Sequence, residues 1–312
     1  MPLRIALFGQ ADLGRETLDR LLTEGHEIVG VFAPPETRRP DALAARAQEL
    51  GLPLAQRRYF QTRAGQAIRA ALESYRTLDA ELNVLASFTS FLPSEITDAA
   101  RHRSLCFHPS LLPRFRGGNA LQWQIILGEA ETGVSIFVPD AGVDTGPIVL
   151  QKGGVKIEPG DTAGTLFFHK LAPLGIEAIV EAVRAIDRGR AKLRLQDESR
   201  ATHQGLVSDS DAAVDLEAPP EQIDRLLRGC DPQPGAYLRQ RGAKIRLFGT
   251  RLLPGGGGAP GRVVGIDDEG IVLALEGARL RITRVRADRG KETAVDFAKR
   301  SGLAVGERLT SG

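Results

Sequence analysis

Two periodicities alternate along the first half of the chain. Residues 4–8 (RIALF) form a short β-type run, and behind Gly9 the residues Leu13, Leu18, Leu21 and Leu22 recur at helical spacing until Gly25 stops them. Residues 27–33 (EIVGVFA) predict a second strand closed by Pro34-Pro35, residues 41–50 a helix, and residues 52–54 a short strand beyond Gly51. A helix is predicted at 63–75 and a strand at 80–87 (AELNVLAS). The near-continuous apolar character of that strand is what a parallel sheet covered on both faces requires. Residues 105–108 repeat it, 120–127 read as a helix, and strands at 133–138 and 148–151 flank the turn-rich segment 139–147. A long helix at 162–188 closes the series, with Pro173 expected to kink or interrupt it. The pattern predicts an α/β, Rossmann-like domain around a central, mostly parallel sheet.

After Gly189 the pattern changes. Residues 190–219 are polar and patternless, as in a linker draped over a surface. Pro219-Pro220 opens a short helix to Leu227, and alternating runs follow at 236–238, 244–253, 262–266, 270–275 and 278–285, separated by Gly-rich turns that include 255–258. Short strands at this spacing predict a small, OB-like β-barrel. The expected division is a catalytic domain over 1–203 and a barrel over 204–312.

Composition narrows the class. With 312 residues, 42% of them hydrophobic, and a formal charge of +2, the chain reads as a globular protein able to bury a core, so disordered, collagen-like and membrane classes drop out. Two cysteines exclude a disulfide framework or a thiolate zinc site and point to a reducing compartment. No apolar stretch approaches a membrane span and MPLRIALFG does not make a signal peptide, so a cytoplasmic protein is expected. The small net charge hides an asymmetry: residues 236–312 hold 15 Lys/Arg against 8 Asp/Glu. A well-solvated barrel surface accounts for this excess, and so does a surface that faces a polyanion.

Several motifs fail. Gly9-x-Ala11-x-x-Gly14 follows the first strand but lacks the glycine that lets backbone approach a pyrophosphate, and past Pro34-Pro35 only Glu36 is available as a ribose-binding acid. The histidines 26, 102, 108, 169 and 203 show no metal-ligand spacing, and no metal is expected. Residues 104–119 (SLCFHPSLLPRFRGGN) are different, because a strand runs into His108 and Pro109, Pro113 and Gly117-Gly118 then force an irregular loop at its carboxyl end. In open α/β sheets that end is where ligands bind. Downstream, FVPDAGVDTG (137–146) presents Asp140 and Asp144 between two strands. A histidine beside a carboxylate suits proton transfer near neutral pH, although residues 36 positions apart need not meet.

The string His108-Pro109-Ser110-Leu111-Leu112-Pro113-Arg114-x-Arg116-Gly117, with GVSI at 133–136 and GVDTG at 142–146, closely resembles the signature of the 10-formyltetrahydrofolate-dependent formyltransferases. The likeness extends through LNVLASFTSFLPSEI (82–96) and into the barrel, and so covers essentially the whole chain. Within the family, GQADLG, GHEIVGVF and HPSLLPRFRGGNALQW look most like the amino-terminal hydrolase domain of the dehydrogenase branch and, more distantly, like the methionyl-tRNA formyltransferases.

The resemblance implies catalysis by His108 and Asp144, with 10-formyltetrahydrofolate as formyl donor, tetrahydrofolate as product and no metal. It implies backbone contacts to a pterin from Ser90-Phe91-Leu92 and from the segment after Asp140, a folate signature at Ser110-Leu111-Leu112-Pro113, and walls from Leu85, Phe88, Phe91 and Val138. Where most members carry Asn, this chain has Cys106, on the same strand face as His108. A thiol is a weak donor, so oxyanion stabilisation falls mainly to protonated His108, unless Cys106 itself acts as a nucleophile. Formyl removal by hydrolysis or by transfer is the leading expectation. The alternatives are transfer to an amine such as methionyl-tRNA or an amino sugar, and a folate-binding module without turnover. The basic tail favours tRNA, whereas APPETRRPD offers only Arg38 and Arg39 where the tRNA enzymes carry a longer basic insertion. A chain of 312 residues is expected to lack the carrier and aldehyde dehydrogenase parts of the full dehydrogenase, and the oligomeric state is not predicted.

Overall fold

The structure, a computed structural model, describes residues 2–36, 38–256 and 258–312. The chain divides into two compact units, one built from Met1–Arg116, Gly133–Val155 and His169–His203 and the other from Gly117–Thr132, Lys156–Phe168 and Gln204–Gly312.

The first unit is organised by a seven-stranded sheet of β1 (Arg4–Gly9), β2 (Glu27–Ala33), β3 (Leu54–Gln56), β4 (Leu82–Ala86), β5 (Ser104–His108), β6 (Glu131–Phe137) and β7 (Ile148–Lys156), in the order β3-β2-β1-β4-β5-β6-β7. Strands β1 to β5 run parallel and β6 is antiparallel to β5. The predicted α/β class and mostly parallel sheet are borne out. The order reverses at β1, with β2 on one side and β4 on the other, which marks the crevice where such sheets receive ligands. Beneath it the rings of Phe8 and Phe32 stack at 4.4 Å, and Phe60 and Phe88 meet Phe8 edge-on, which fixes the ends of β1, β2 and β4 through packing that aromatic quadrupoles favour.

Two local expectations need correction and one is borne out. The helix predicted from residue 63 spans only Arg69–Arg76, because Thr62 N–H bonds back to Gln66 O around Gly65, whose φ is +78°. The long terminal helix is interrupted as expected, into Ala163–Leu166, a π-helical turn Phe167–Leu171, and Ala172–Asp187, with Pro173, which has no N–H to donate, at the start of the last piece. The supposed linker is not draped loosely. Residues 196–202 are hydrogen-bonded within the first unit, and Ala212, Val214 and Leu216 are buried in the core of the second. Its order comes from side-chain-to-backbone bonds, which leave no hydrophobic periodicity to read.

The second unit holds a six-stranded antiparallel sheet of Tyr237–Gln240, Ala243–Pro254, Val263–Asp267, Gly270–Ala274, Ala278–Ala287 and Gly290–Thr293. Ile245, Leu247, Leu280 and Ile282 point inward at alternate positions. The carboxyl-terminal segment bridges both outer strands, Arg239 to Thr310 and Arg262 to Arg308, so the sheet closes into the expected barrel and leaves few open edges. The helix Ala294–Ser301, which the sequence reading missed, is capped by Thr293, whose hydroxyl accepts from Asp296 N–H. Of the predicted 255–258 turn, Gly257 lies outside the described residues. No helix among the described residues is long and apolar enough to cross a membrane.

A buried polar cluster ties β4 to β5 behind the site. Asn83, which pairs with Ser104, accepts from Tyr75 Oη at 3.0 Å and donates to Ile96 O at 2.8 Å. Replacing Asn83 with Ala leaves the buried Tyr75 hydroxyl without its acceptor and removes the tie to Ile96 O, and is expected to lower stability by about 1–3 kcal/mol, measured by urea unfolding. An unchanged midpoint would show that water replaces the lost partners.

Candidate active site

Strand β5 ends at His108, and the chain then folds over it. His108 Nε2 lies 2.8 Å from the carbonyl oxygen of Phe115. A carbonyl only accepts, so Nε2 carries the hydrogen, and in the neutral ring Nδ1 is left as a bare base. Nδ1 faces Asp144 Oδ2 at 3.5 Å. Burial pushes the imidazole below its ordinary value, opposed by the Asp144 charge and the Phe115 carbonyl. The resting ring is therefore neutral, and the oxyanion role expected of protonated His108 requires that it first take up a proton. The two residues that sequence spacing left unconnected do meet.

Asp144 takes a left-handed backbone, φ +56°, that costs free energy for a non-glycine residue and must be held. Gln196 holds it, its Nε2 donating to Asp144 O at 2.8 Å and to Gly146 O at 2.7 Å. Gly146 is required by close approach, since a Cβ there would stand 1.8 Å from Val138 O. Asp140 shapes the turn, accepting from Gly142 N–H at 3.0 Å and Thr145 Oγ1 at 2.5 Å. Cys106 shares the His108 face, and its thiol is pushed up by burial and then by Asp144. It stays protonated, so the nucleophile alternative loses its thiolate.

The remaining predicted residues fall into two groups. Ser110, Leu111, Leu112 and Pro113 build the loop after His108, whose polar groups bond to neighbouring protein. Ser110 Oγ donates to Arg114 O, Ser135 Oγ accepts from Leu112 N–H at 3.0 Å, and Leu112 O accepts from Gln151 Nε2 at 2.8 Å. Phe88 and Ser90 instead line a cleft of about 300 Å³ with Gln10, Pro34, Pro35, Arg57, Arg58 and Thr89, at the carboxyl ends of the strands beside the order reversal. Leu85 is buried below Phe88, Leu92 packs half-buried on the same cluster, Phe91 is 68% exposed, and Val138 is buried behind Gly146. Neither Arg57 nor Arg58 pairs with a carboxylate among the described residues; Arg58 lies over the Tyr59 ring at 5.4 Å. Sequence reasoning missed Gln10, Arg57, Arg58, Phe115, Gln196 and Thr202. Two adjacent arginines just past a strand end were the one readable signal.

Residues 3–183 match the formyl transferase family and residues 206–302 its C-terminal domain. The chain belongs to the formyl transferase family. It is 39% identical over 252 residues to mitochondrial 10-formyltetrahydrofolate dehydrogenase of Mus musculus, covering 80% of this chain and 27% of that protein. The chain thus spans about a third or less of the length of such relatives. Methionyl-tRNA formyltransferase of Dinoroseobacter shibae is 35% identical over 306 residues, 95% of this chain and 96% of that one. Among solved structures, HypX from Aquifex aeolicus in complex with tetrahydrofolic acid superposes with a TM-score of 0.77 at 19% identity, over 98% of this chain and 49% of that one. This last likeness speaks to the fold alone.

The buried neutral histidine of this formyl transferase makes a pH prediction. Its folded pKa lies below the unfolded value of about 6.5, so the unfolded chain binds a proton that the native chain refuses. Stability is full above about 6.5 and falls as pH drops from there toward the lower folded value. His26, also depressed by burial, acts in the same direction. The His108→Asn variant is expected to show a shallower acid loss than wild type in urea midpoints measured from pH 8 to 5. Equal slopes would mean that the native ring takes up its proton as the unfolded chain does, with no shift from burial.

Proposed function

We propose that this formyl transferase removes the formyl group of 10-formyltetrahydrofolate, with water as the acceptor, giving formate and tetrahydrofolate. The observation that carries this is the His108–Asp144 pair, with a neutral ring, its tautomer fixed by Phe115 and its free nitrogen beside a carboxylate. The cleft suits a folate: Phe88, Pro34 and Pro35 provide flat apolar walls, and Arg57 and Arg58 provide charge for glutamate carboxylates. The folate supplies an electrophilic formyl carbon on N10. His108 Nδ1 takes a proton from the attacking oxygen, Asp144 stabilises the imidazolium so formed, and that proton is returned to the departing amine nitrogen. A positioned general base of this kind contributes about 10²–10⁴-fold. Cys106, a neutral thiol in place of the family asparagine, adds little charge stabilisation, so the oxyanion relies on the imidazolium and backbone donors.

A second reading, transfer to an amine carried by tRNA, is favoured by the end-to-end match to a methionyl-tRNA formyltransferase. Against it, part of the barrel's positive charge is already paired: Arg281 with Asp267 and Glu269, Arg300 with Asp288 and Glu292, Lys244 and Arg246 with Asp209.

Product analysis with purified protein and 10-formyltetrahydrofolate, with and without methionyl-tRNA, separates these readings. Formate without acceptor is expected, together with a loss of at least about 10²-fold in His108→Ala and in Asp144→Ala. Wild-type turnover in both variants would sink the role assignment, and a formylated aminoacyl-tRNA as sole product would replace hydrolysis by transfer.

A further inference from the structure

We propose that Gln196 is a positioning residue for this reaction, its side-chain amide, clamped by Arg116, holding the backbone of Asp144 so that the carboxylate meets His108. The inference rests on the acid–base reading of the His108–Asp144 pair.

Four contacts converge on one amide. Nε2 spends both its hydrogens on the carbonyls of Asp144 and Gly146, and Oε1 accepts from Arg116 Nε at 3.1 Å and Nη2 at 2.9 Å. Arg116 has only donors, so the amide has one possible orientation, with its nitrogen facing the loop. Arg116 is in turn locked by a bidentate pair with Glu198, at 2.8 and 2.6 Å, in which the arginine side chain is 7% exposed. That pair raises the Arg116 pKa and lowers that of Glu198. The clamp is therefore charged throughout the working pH range, and it grips a loop segment whose left-handed Asp144 has a standing tendency to relax.

The same stretch of chain secures the other partner. Thr202 Oγ1 accepts from Phe115 N–H at 2.7 Å and Thr202 O accepts from Arg116 N–H at 2.9 Å, which fixes the peptide whose carbonyl sets the His108 tautomer. One irregular segment thus sets the carboxylate through residue 196 and the imidazole through residue 202. Gln196 itself touches neither reacting atom.

The test is kinetic. Gln196→Glu keeps an acceptor toward Arg116 but replaces both carbonyl-facing hydrogens with oxygen, so it breaks only the grip on the loop. A misplacement of about 1 Å at a reacting group costs on the order of 10²-fold. Gln196→Glu is therefore expected to lower kcat for 10-formyltetrahydrofolate about 10²-fold with KM little changed. In an Asp144→Ala background the same change is expected to cost nothing further, because its effect passes through Asp144. Gln196→Met, which loses the grip without adding charge, is read in the same way and serves if circular dichroism shows the glutamate variant unfolded. Wild-type kcat in a folded variant, or equal losses with and without Asp144, would overturn the proposal. Full activity of Asp144→Ala alone would instead overturn the acid–base reading beneath it.

Discussion

The chemistry proposed for this site depends on one hydrogen bond, from His108 Nε2–H to the backbone carbonyl of Phe115. Because the acceptor is a peptide oxygen, it cannot exchange roles, and the ring is left with a single usable basic atom. Burial does the rest, since a charged imidazole in that position is penalised until Asp144 compensates for it. A ring that is neutral at rest and tolerable as a cation once protonated is what a general base requires. Had the acceptor been a carboxylate, the ring would be drawn toward a permanent charge. Phe115 must present its carbonyl inward to make this bond, and its own φ of +60° is the local cost.

How much of this was legible follows from what each feature is made of. Strand β4 and the run into His108 are apolar enough to be read from composition alone, and the alternation over 236–285 gave the barrel. Their existence comes from burial, which is written in periodicity. His108 and Asp144 could be singled out as residue types in Pro/Gly-shaped loops, yet their meeting depends on β6 pairing antiparallel to β5, with Cys106 opposite Phe137, and on the 138–147 loop folding back from there to His108. Register is not local information. Gln196 and Thr202 were invisible for a stronger reason: they act through hydrogen bonds to distant backbone groups, and nothing in a polar run such as LQDESRATH distinguishes a clamp from a solvated loop.

The failed dinucleotide signature has a physical explanation of the same kind. Behind β1 the helix Ala11–Thr23 presents its N-terminus where a Rossmann fold seats a phosphate. Here Asp41 Oδ2 accepts from Ala11 N–H at 2.7 Å while its other oxygen caps the helix Ala42–Glu49 at Leu43 and Ala44. One carboxylate thus satisfies the starts of two helices and supplies the negative charge that both macrodipoles favour. Space is also taken, since a Cβ on Gly9 would stand 2.8 Å from Ala86 O, so this glycine serves strand packing.

Charge is partitioned by the same logic of internal use. The excess of basic residues in 236–312 suggests a surface for polyanions only while those cations are counted as free. Lys244 Nζ lies 4.0 Å from the Tyr237 ring centre and also pairs with Asp209, and Lys291 lies 3.8 Å over the Phe248 ring. Both aromatic rings are buried, so neither offers a face on which a base can stack. Part of the barrel's positive charge thus covers its own aromatic residues or pairs with nearby carboxylates. Arg57 and Arg58, beside the cleft of the other unit, have no carboxylate partner among the described residues. Unspent positive charge at a ligand cleft favours a small anionic substrate over a nucleic-acid backbone, which weighs the chemistry of this chain toward the folate.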